Sequence, residues 1–391
     1  MELLIEIGVE ELPAIPFLKE RANIAPKWRA VLEANRINSD FRFEFSPRRF
    51  VLFHEDFPQR GDDAQIVSTG APKSVALKDG AWSPAALSFA KKCGISESEL
   101  EFRQIGGKEV LYHAAVQKGR DSREILGEMI EEFLRSLNFG RAMRWGSGEF
   151  EFIRPIRSIA CVLGGENVDF EIYGVRSAAA FFPHRKFGYE AIKFKDAADY
   201  FALLGRNGVI LSEQKRKNKI LSEFAKLEKK HGFKIEVDPA LLDEVTAITE
   251  YPTALLGSFE RDFLSVPKEV IITSMKENQR YFPVFEDKNL SNHFVIVSNA
   301  ITDDDELVVR GNEKVLRARL SDAMFFWKSD LQAEFSPEKL KQISYMQALG
   351  SVYDKQVREL AVARALSADY ATQIEAEIGK KDFSLDVENA V

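Results

Sequence analysis

The sequence predicts an α+β, multidomain chain. A duplicated β-α-β-β sheet layer with an insertion is followed by a second α+β region and a C-terminal helical segment. Three observations carry this. The first is an internal echo between "RFEFSPRRFVLF" (42–53) and "EFEFIRPIRSIACVL" (149–163). Phe43, Glu44 and Phe45 match Phe150, Glu151 and Phe152, while Pro47 and Arg49 match Pro155 and Arg157. The second is that a strand-like run and then a helical run precede each copy: 3–7 with 15–35, and 110–116 with 122–138. The third is size, because 391 residues exceed what one ordinary core organises.

In chain order, residues 3–7 read as a buried strand, with three glutamates close by: Glu6, Glu10 and Glu11. Pro13 and Pro16 suit the first turn of a helix, so Glu10 and Glu11 are expected to favour the positive end of its dipole. Glu6, inside the strand, is left without a partner. Pro26 is expected to kink or split the helix. "HED" (54–56) reads as a solvated strand end rather than a metal pair. Residues 58–108 form the insertion, with a helix at 83–93 and a hairpin turn at Gly106-Gly107. Neither GxxxxGK[ST] nor GxGxxG occurs, so that glycine pair is no phosphate loop. Asp121 caps the next helix, with Glu124 three residues on. Ile125, Met129, Phe133 and Leu137 form its apolar stripe. Beyond 164, helices are expected at 196–208, 212–232 (capped by Ser212) and 239–249. A helix-to-strand run (266–287) and a buried strand (293–300) follow. From about 303 the chain reads as helical, broken near Pro337. The last residues, "SLDVENAV", read as a helix start with no stop signal, so the chain is expected to be a fragment cut inside a helix.

Composition narrows the function classes. No apolar run approaches the roughly 18 residues that cross a bilayer, and no basic stretch precedes an apolar N-terminal segment. Cys93 and Cys161 lack CxxC spacing, which suits a reducing cytosol; the expected location is cytoplasmic. The five histidines are scattered, so no zinc site and no catalytic residue is assigned. The net charge is −7, against a dedicated nucleic-acid binder, yet a local basic patch is enough for RNA contact. Arg48 and Arg49 sit at a turn. Arg141, Arg144, Arg154 and Arg157 surround Trp145. Arg185 and Lys186 lie in a loop. Arginine beside aromatics suits phosphate contact and base stacking; ion pairing with Glu44, Glu149 and Glu151 is the plainer alternative. On the helix near 305–328, Leu316, Leu320, Ala323 and Trp327 share one side, while Arg310, Lys314, Arg317 and Lys328 fall nearly opposite. A basic stripe of this kind can track a nucleic-acid backbone.

Six stretches carry a family resemblance: "EIGVEELP" (6–13), "SPRRF" (46–50), "MRWGSGEFEFIRPIRSI" (143–159), "HRKFG" (184–188), "EYPTALLGSFERDFLSVPKEVIITSMKENQRYFPVF" (250–285) and "GNEKVLRARLSDAMFFWKSD" (311–330). In order and spread, the sequence resembles the beta subunit of bacterial two-subunit glycyl-tRNA synthetase, as an N-terminal fragment. That resemblance implies a tRNA-binding subunit supporting ATP-dependent attachment of glycine to tRNA(Gly). The active site, ATP and its Mg2+ would be on the alpha subunit of an alpha2-beta2 tetramer, with neither bound by this fragment. The candidate tRNA contacts, from the basic clusters above, are Arg48, Arg49, Arg144, Arg154, Arg185, Lys186, Arg310, Lys314 and Arg317. The expected division is 1–57 with 109–165 as the duplicated unit, 58–108 as the insertion, 166–302 as an editing-like or tRNA-binding region, and 303–391 as the start of a truncated HD-type domain. The alternatives are an editing hydrolase of mischarged tRNA and a scaffold that only bridges subunits.

Overall fold

Strand Leu3–Val9 is buried along its whole length, and the first layer is built around it. In the computed structural model, which describes residues 1–78, 80–333, 336–379 and 387, it pairs antiparallel with both Arg49–His54 and Ile156–Leu163. Edge strands Arg42–Ser46 and Glu166–Asn167 complete five strands. A strand covered on both faces must be apolar throughout, and "LLIEIGV" satisfies this except at Glu6. Helices Ala14–Ala34 and Ser122–Ser136 pack together. They bury Phe17, Ile24, Trp28, Ile125, Met129, Ile130 and Phe133 against one face of the sheet. Leu4, Val51, Phe53, Ala160 and Val162 face the other way, against helix Ala197–Arg206.

The mixed α+β class stands, and several local expectations are corrected. The strand expected at 110–116 forms as Lys108–Gln117, but pairs with Ala64–Pro72 and Glu101–Ile105 in a separate sheet. Glu151–Phe152 pairs with Met143–Arg144 instead of folding back on Ile156–Leu163, whose second edge takes Glu166–Asn167. Helix Ala14–Ala34 runs through Pro26 unbroken; packing of Ile24 and Trp28 on the core outweighs the lost amide bond. Its first turn holds no acid, so Glu10 and Glu11 are not helix-dipole residues. Ser212 makes no side-chain cap, whereas Asp121 accepts from the Arg123 amide. His54 is fully buried rather than a solvated strand end: it accepts from Trp28 Nε1 at 3.0 Å and lies 2.8 Å from Ser39 Oγ. Burial depresses its pKa to about 4.

Helix Pro84–Cys93 covers the insertion's sheet, capped by Ser83. Gly106 and Gly107, both at positive φ, make its hairpin turn. At the base, Gly119 lies so close to Gly61 that a Cβ there would meet the Gly61 carbonyl oxygen at 1.7 Å. Downstream, strands Lys234–Ile235, Phe282–Glu286, Asn289–Ser298 and Thr253–Ser258 form a second sheet, in that order, packed with helices Glu213–His231 and Pro239–Ala247. The chain divides into two compact units, Met1–Leu320 and Ser321–Val391. Helix Asp305–Gln332 crosses that division, burying Leu316 and Leu320. The region beyond it is less uniformly helical than expected: strands Ser344–Met346 and Gly350–Ser351 form a small hairpin before helices Val352–Asp369 and Ala371–Ile378. Among the described residues no helix is long and apolar enough to cross a membrane. The reading of 384–391 as a helix start lies outside the described residues, Val387 apart.

Candidate functional site: a buried ion-pair cluster under a basic rim

Glu6 points from the central strand into the interior, where an isolated carboxylate would be prohibitively costly. It is not isolated. Arg49, beside it on strand Arg49–His54, donates from Nη1 to Glu6 at 3.0 Å and from Nη2 to Glu250 at 3.2 Å. Nη2 also donates to the Phe182 carbonyl at 2.8 Å, and Nε to Ser46 Oγ at 3.3 Å. Ser46 Oγ in turn donates to Glu250 at 2.8 Å. The Tyr200 hydroxyl donates to Glu6 in a short hydrogen bond. Burial works against the Arg49 charge, but Glu6 and Glu250 outweigh it and raise the pKa. Burial, with the Glu6 charge next, pushes the Tyr200 phenol well above its usual value. Two carboxylates on one fully buried guanidinium, each with a hydroxyl donor, join the first sheet to the segment that enters the second.

This cluster has a partly exposed rim. Arg48 donates to the Pro183 carbonyl at 3.1 Å and lies 3.5 Å from Glu250; burial lowers its pKa against the pull of Glu250. Glu10 pairs with Arg157 at 3.0 Å and reaches Arg185 at 3.7 Å, while Glu11 pairs with Arg185 at 2.9 Å. Arg154 Nε donates to the Glu11 carbonyl at 3.0 Å. The Arg157 guanidinium lies 5.2 Å from the Phe182 ring centroid. Lys186 is exposed, held in a turn where His184 Nδ1 accepts from its amide. The other His184 nitrogen bonds the Asn299 carbonyl, and Asn299 Oδ1 accepts from the amides of Glu250 and Tyr251. Five cations (Arg48, Arg154, Arg157, Arg185, Lys186) therefore stand over two rim acids, Glu10 and Glu11. Even after the one excess carboxylate below them, the neighbourhood carries a net +2.

The structure thus sorts the sequence candidates. Arg48, Arg154, Arg185 and Lys186 come together. Arg49 does not share their exposure: it is 1% exposed and cannot meet a ligand, because Glu6 and Glu250 hold it inside. Arg144 stands on the hairpin next door, paired with Glu151 at 2.7 Å, beside Trp145 stacked on Tyr173. Arg310, Lys314 and Arg317 are exposed on helix Asp305–Gln332, with Glu306 and Glu260 beside the two arginines. Sequence reading missed Tyr200 and Glu250. The signal for Glu250 was an acid directly before "YP" at a helix end; Tyr200 looked like an ordinary core aromatic. It also missed Arg216, in a lysine-rich helix, which is wholly buried. It donates to the Phe45, Ile210, Leu211 and Thr246 carbonyls, and burial lowers its pKa to about 10. Among the described residues no group of three or more His, Cys, Asp or Glu side chains is placed to hold a metal ion.

Comparison with known proteins identifies the family. A family model described as "Glycyl-tRNA synthetase beta subunit" matches residues 3–387. Proteins named "Glycine--tRNA ligase beta subunit" are similar to the chain throughout. The one from Helicobacter pylori (strain HPAG1) is 40% identical over 394 residues, covering 97% of this chain and 56% of the relative. That from Oceanobacillus iheyensis is 36% identical over 400 residues, covering 99% and 58%. That from Bacillus subtilis (strain 168) is 38% identical over 372 residues, covering 94% and 54%. The chain therefore spans little more than half the length of these relatives. Five of the six stretches that carried the resemblance, "EIGVEELP", "SPRRF", "MRWGSGEFEFIRPIRSI", "HRKFG" and the start of the 250–285 segment, supply the cluster and its rim. By the match of the family model over nearly its whole length, the chain belongs to the glycyl-tRNA synthetase beta subunit family.

Proposed function

We propose that this chain is the tRNA-handling N-terminal part of the beta subunit of glycine–tRNA ligase, supporting ATP-dependent attachment of glycine to tRNA(Gly) in the cytoplasm. One observation carries the proposal. A net-positive rim, made by segments far apart in sequence, rests on a buried ion-pair cluster that fixes its shape. Cations on a rigid base suit a phosphate backbone, because little ordering is left to be done on binding. Arg48, Arg154, Arg185 and Lys186 are the first contacts, Arg144 an adjacent one, and Arg310, Lys314 and Arg317 a second track on helix Asp305–Gln332. Arg49 is a positioning residue that holds the turn carrying Arg48.

The alpha subunit, in an alpha2-beta2 tetramer, would supply the active site with ATP and Mg2+. This assignment rests on the family membership and the subunit name alone. We also propose the division into 1–57 with 109–165, the insertion 58–108 (whose sheet also takes strand Lys108–Gln117), an editing-like or tRNA-binding region 166–302, and a helical region from 303 that begins an HD-type domain. The packing of helices Ala14–Ala34 and Ser122–Ser136 side by side supports the internal duplication for the helix and final strand of each unit.

The test is fluorescence-detected binding of tRNA(Gly) across a salt series, with wild type and the Arg185→Glu/Lys186→Glu double variant. The expected result is a steep salt slope, which the double variant flattens by about two phosphate contacts. Equal slopes would remove the rim from RNA binding, and no binding at low salt would favour a bridging scaffold. Release of amino acid from mischarged tRNA by the chain alone would favour the editing reading.

A further inference from the structure

Away from the rim, a cleft of about 380 Å³ opens on the same face of the first sheet as the buried cluster, at the Arg42–Ser46 edge and against the two helices that follow. Val51, Phe53, Phe201, Leu204, Val209 and Leu211 make its apolar wall. Its polar side is Arg42, Glu44, Ser212 and Lys215. The volume lies in the range of small-molecule sites, which pair an apolar wall with a few placed polar groups. The Arg42 guanidinium lies 4.9 Å from the Phe53 centroid and 5.8 Å from that of Phe201. It is therefore a flat cation already held over two rings, a platform on which a further planar group can stack. Lys215 is exposed in the first turn of helix Glu213–His231, whose cap residue Ser212 leaves the amides without a side-chain acceptor. The acid in that turn, Glu213, is engaged by Arg21. The end of the cleft near Lys215 therefore favours an anion.

We propose that this cleft takes one unstacked nucleotide of an RNA strand. The base stacks on Arg42 along the wall of Phe53 and Phe201, and the phosphate lies at Lys215 and the Ser212 end of the helix. Glu44, an acceptor, favours bases that carry an exocyclic amine over uracil. The orientation of the nucleotide follows from charge. The neighbouring depression, which shares Arg42 and Phe53, is lined by Asp40, Glu55 and Asp56, so the phosphate belongs on the Lys215 side. The proposal rests on the chain being an RNA-handling subunit, but it uses residues separate from the rim.

The test uses the 391-residue chain with AMP, UMP and adenosine as probes in calorimetric titration, together with tRNA(Gly) binding. Arg42→Ala and Lys215→Glu are both surface changes that leave the core intact. Expected are binding of AMP tighter than of UMP and of adenosine, and a loss of at least about fivefold in AMP affinity for each variant. Equal AMP affinity in wild type and both variants overturns the proposal, as does adenosine binding as tightly as AMP. If tRNA binding responds to Arg185→Glu/Lys186→Glu but not to Arg42→Ala or Lys215→Glu, the cleft is excluded and the rim stands. If AMP binding shows the expected losses while tRNA ignores the rim variant, the cleft stands and the rim is excluded.

Discussion

Replacing Arg49 with methionine tests the central claim about how the site is built. The side chain volume is nearly kept, so the loss is electrostatic. Glu6 and Glu250 stay buried, each at or near zero exposure, without the cation that bonds them at 3.0 and 3.2 Å. Removing one partner of a buried pair costs about 3–5 kcal/mol, because the remaining charge is uncompensated. Glu250 keeps Ser46 Oγ and Arg48 nearby, and Glu6 keeps the Tyr200 hydroxyl, so the effect should stay within that range. For the 320-residue unit Met1–Leu320, the unfolding entropy scale gives a fall in Tm of roughly 5–7 °C. Urea unfolding of wild type, Arg49→Met, Glu6→Gln and the double variant closes a cycle. Glu6→Gln should be destabilising alone yet restore part of the loss in the Arg49→Met background, with a coupling above about 1 kcal/mol. If Arg49→Met lies within about 1 kcal/mol of wild type, or Glu6→Gln costs the same in both backgrounds, the cluster does not hold the two sheets together.

Three further outcomes follow from the same geometry. Tyr200→Phe removes the hydroxyl that donates to Glu6, and should cost about 1.5–3 kcal/mol, the range for a hydrogen bond to a charged group; denaturant midpoints read it. His54 has a folded pKa of about 4 against an ordinary 6.5, so the unfolded chain binds its proton first as the pH falls. Its contribution is complete above pH 6.5 and is lost between 6.5 and about 4, on the order of 3 kcal/mol in all; His54→Gln, which can still accept from Trp28, should flatten that part of the stability–pH curve by about one proton. Gly119→Ala places a methyl group against the Gly61 carbonyl, where backbone must move. Limited proteolysis should cut the 58–120 segment faster than in wild type, and unchanged cleavage would mean the two strands of the stem separate freely.

What the sequence makes legible here follows from range. Helices Pro84–Cys93 and Ser122–Ser136, the Gly106-Gly107 turn and the buried strands could be read because their signals are local: caps, periodicity and positive-φ residues. The partner of Glu6 could not, since it lies 43 residues away in Arg49 and a further donor lies 194 residues away in Tyr200. The same limit misplaced strand Lys108–Gln117. Its alternation says only that it pairs, and the choice between two sheets is made by Ala64–Pro72. It also misjudged Arg49 and His54, because burial of a charged or polar side chain depends on what the rest of the chain brings to it. "SPRRF" puts two adjacent arginines at one turn, and both reach Glu250, but Arg49 begins the strand while Arg48 stays in the turn. Only Arg49 also meets Glu6 and is fully buried, while Arg48 donates to the Pro183 carbonyl and lies at the partly exposed rim. In this fold the acids that look catalytic on paper, Glu6, Glu10 and Glu11, are each committed to an arginine. Their spacing sets the positions of Arg49, Arg157 and Arg185, so a shift of that strand by one residue would scatter the rim. The carboxylates of the opening segment thus bear on a ligand through the cations they place.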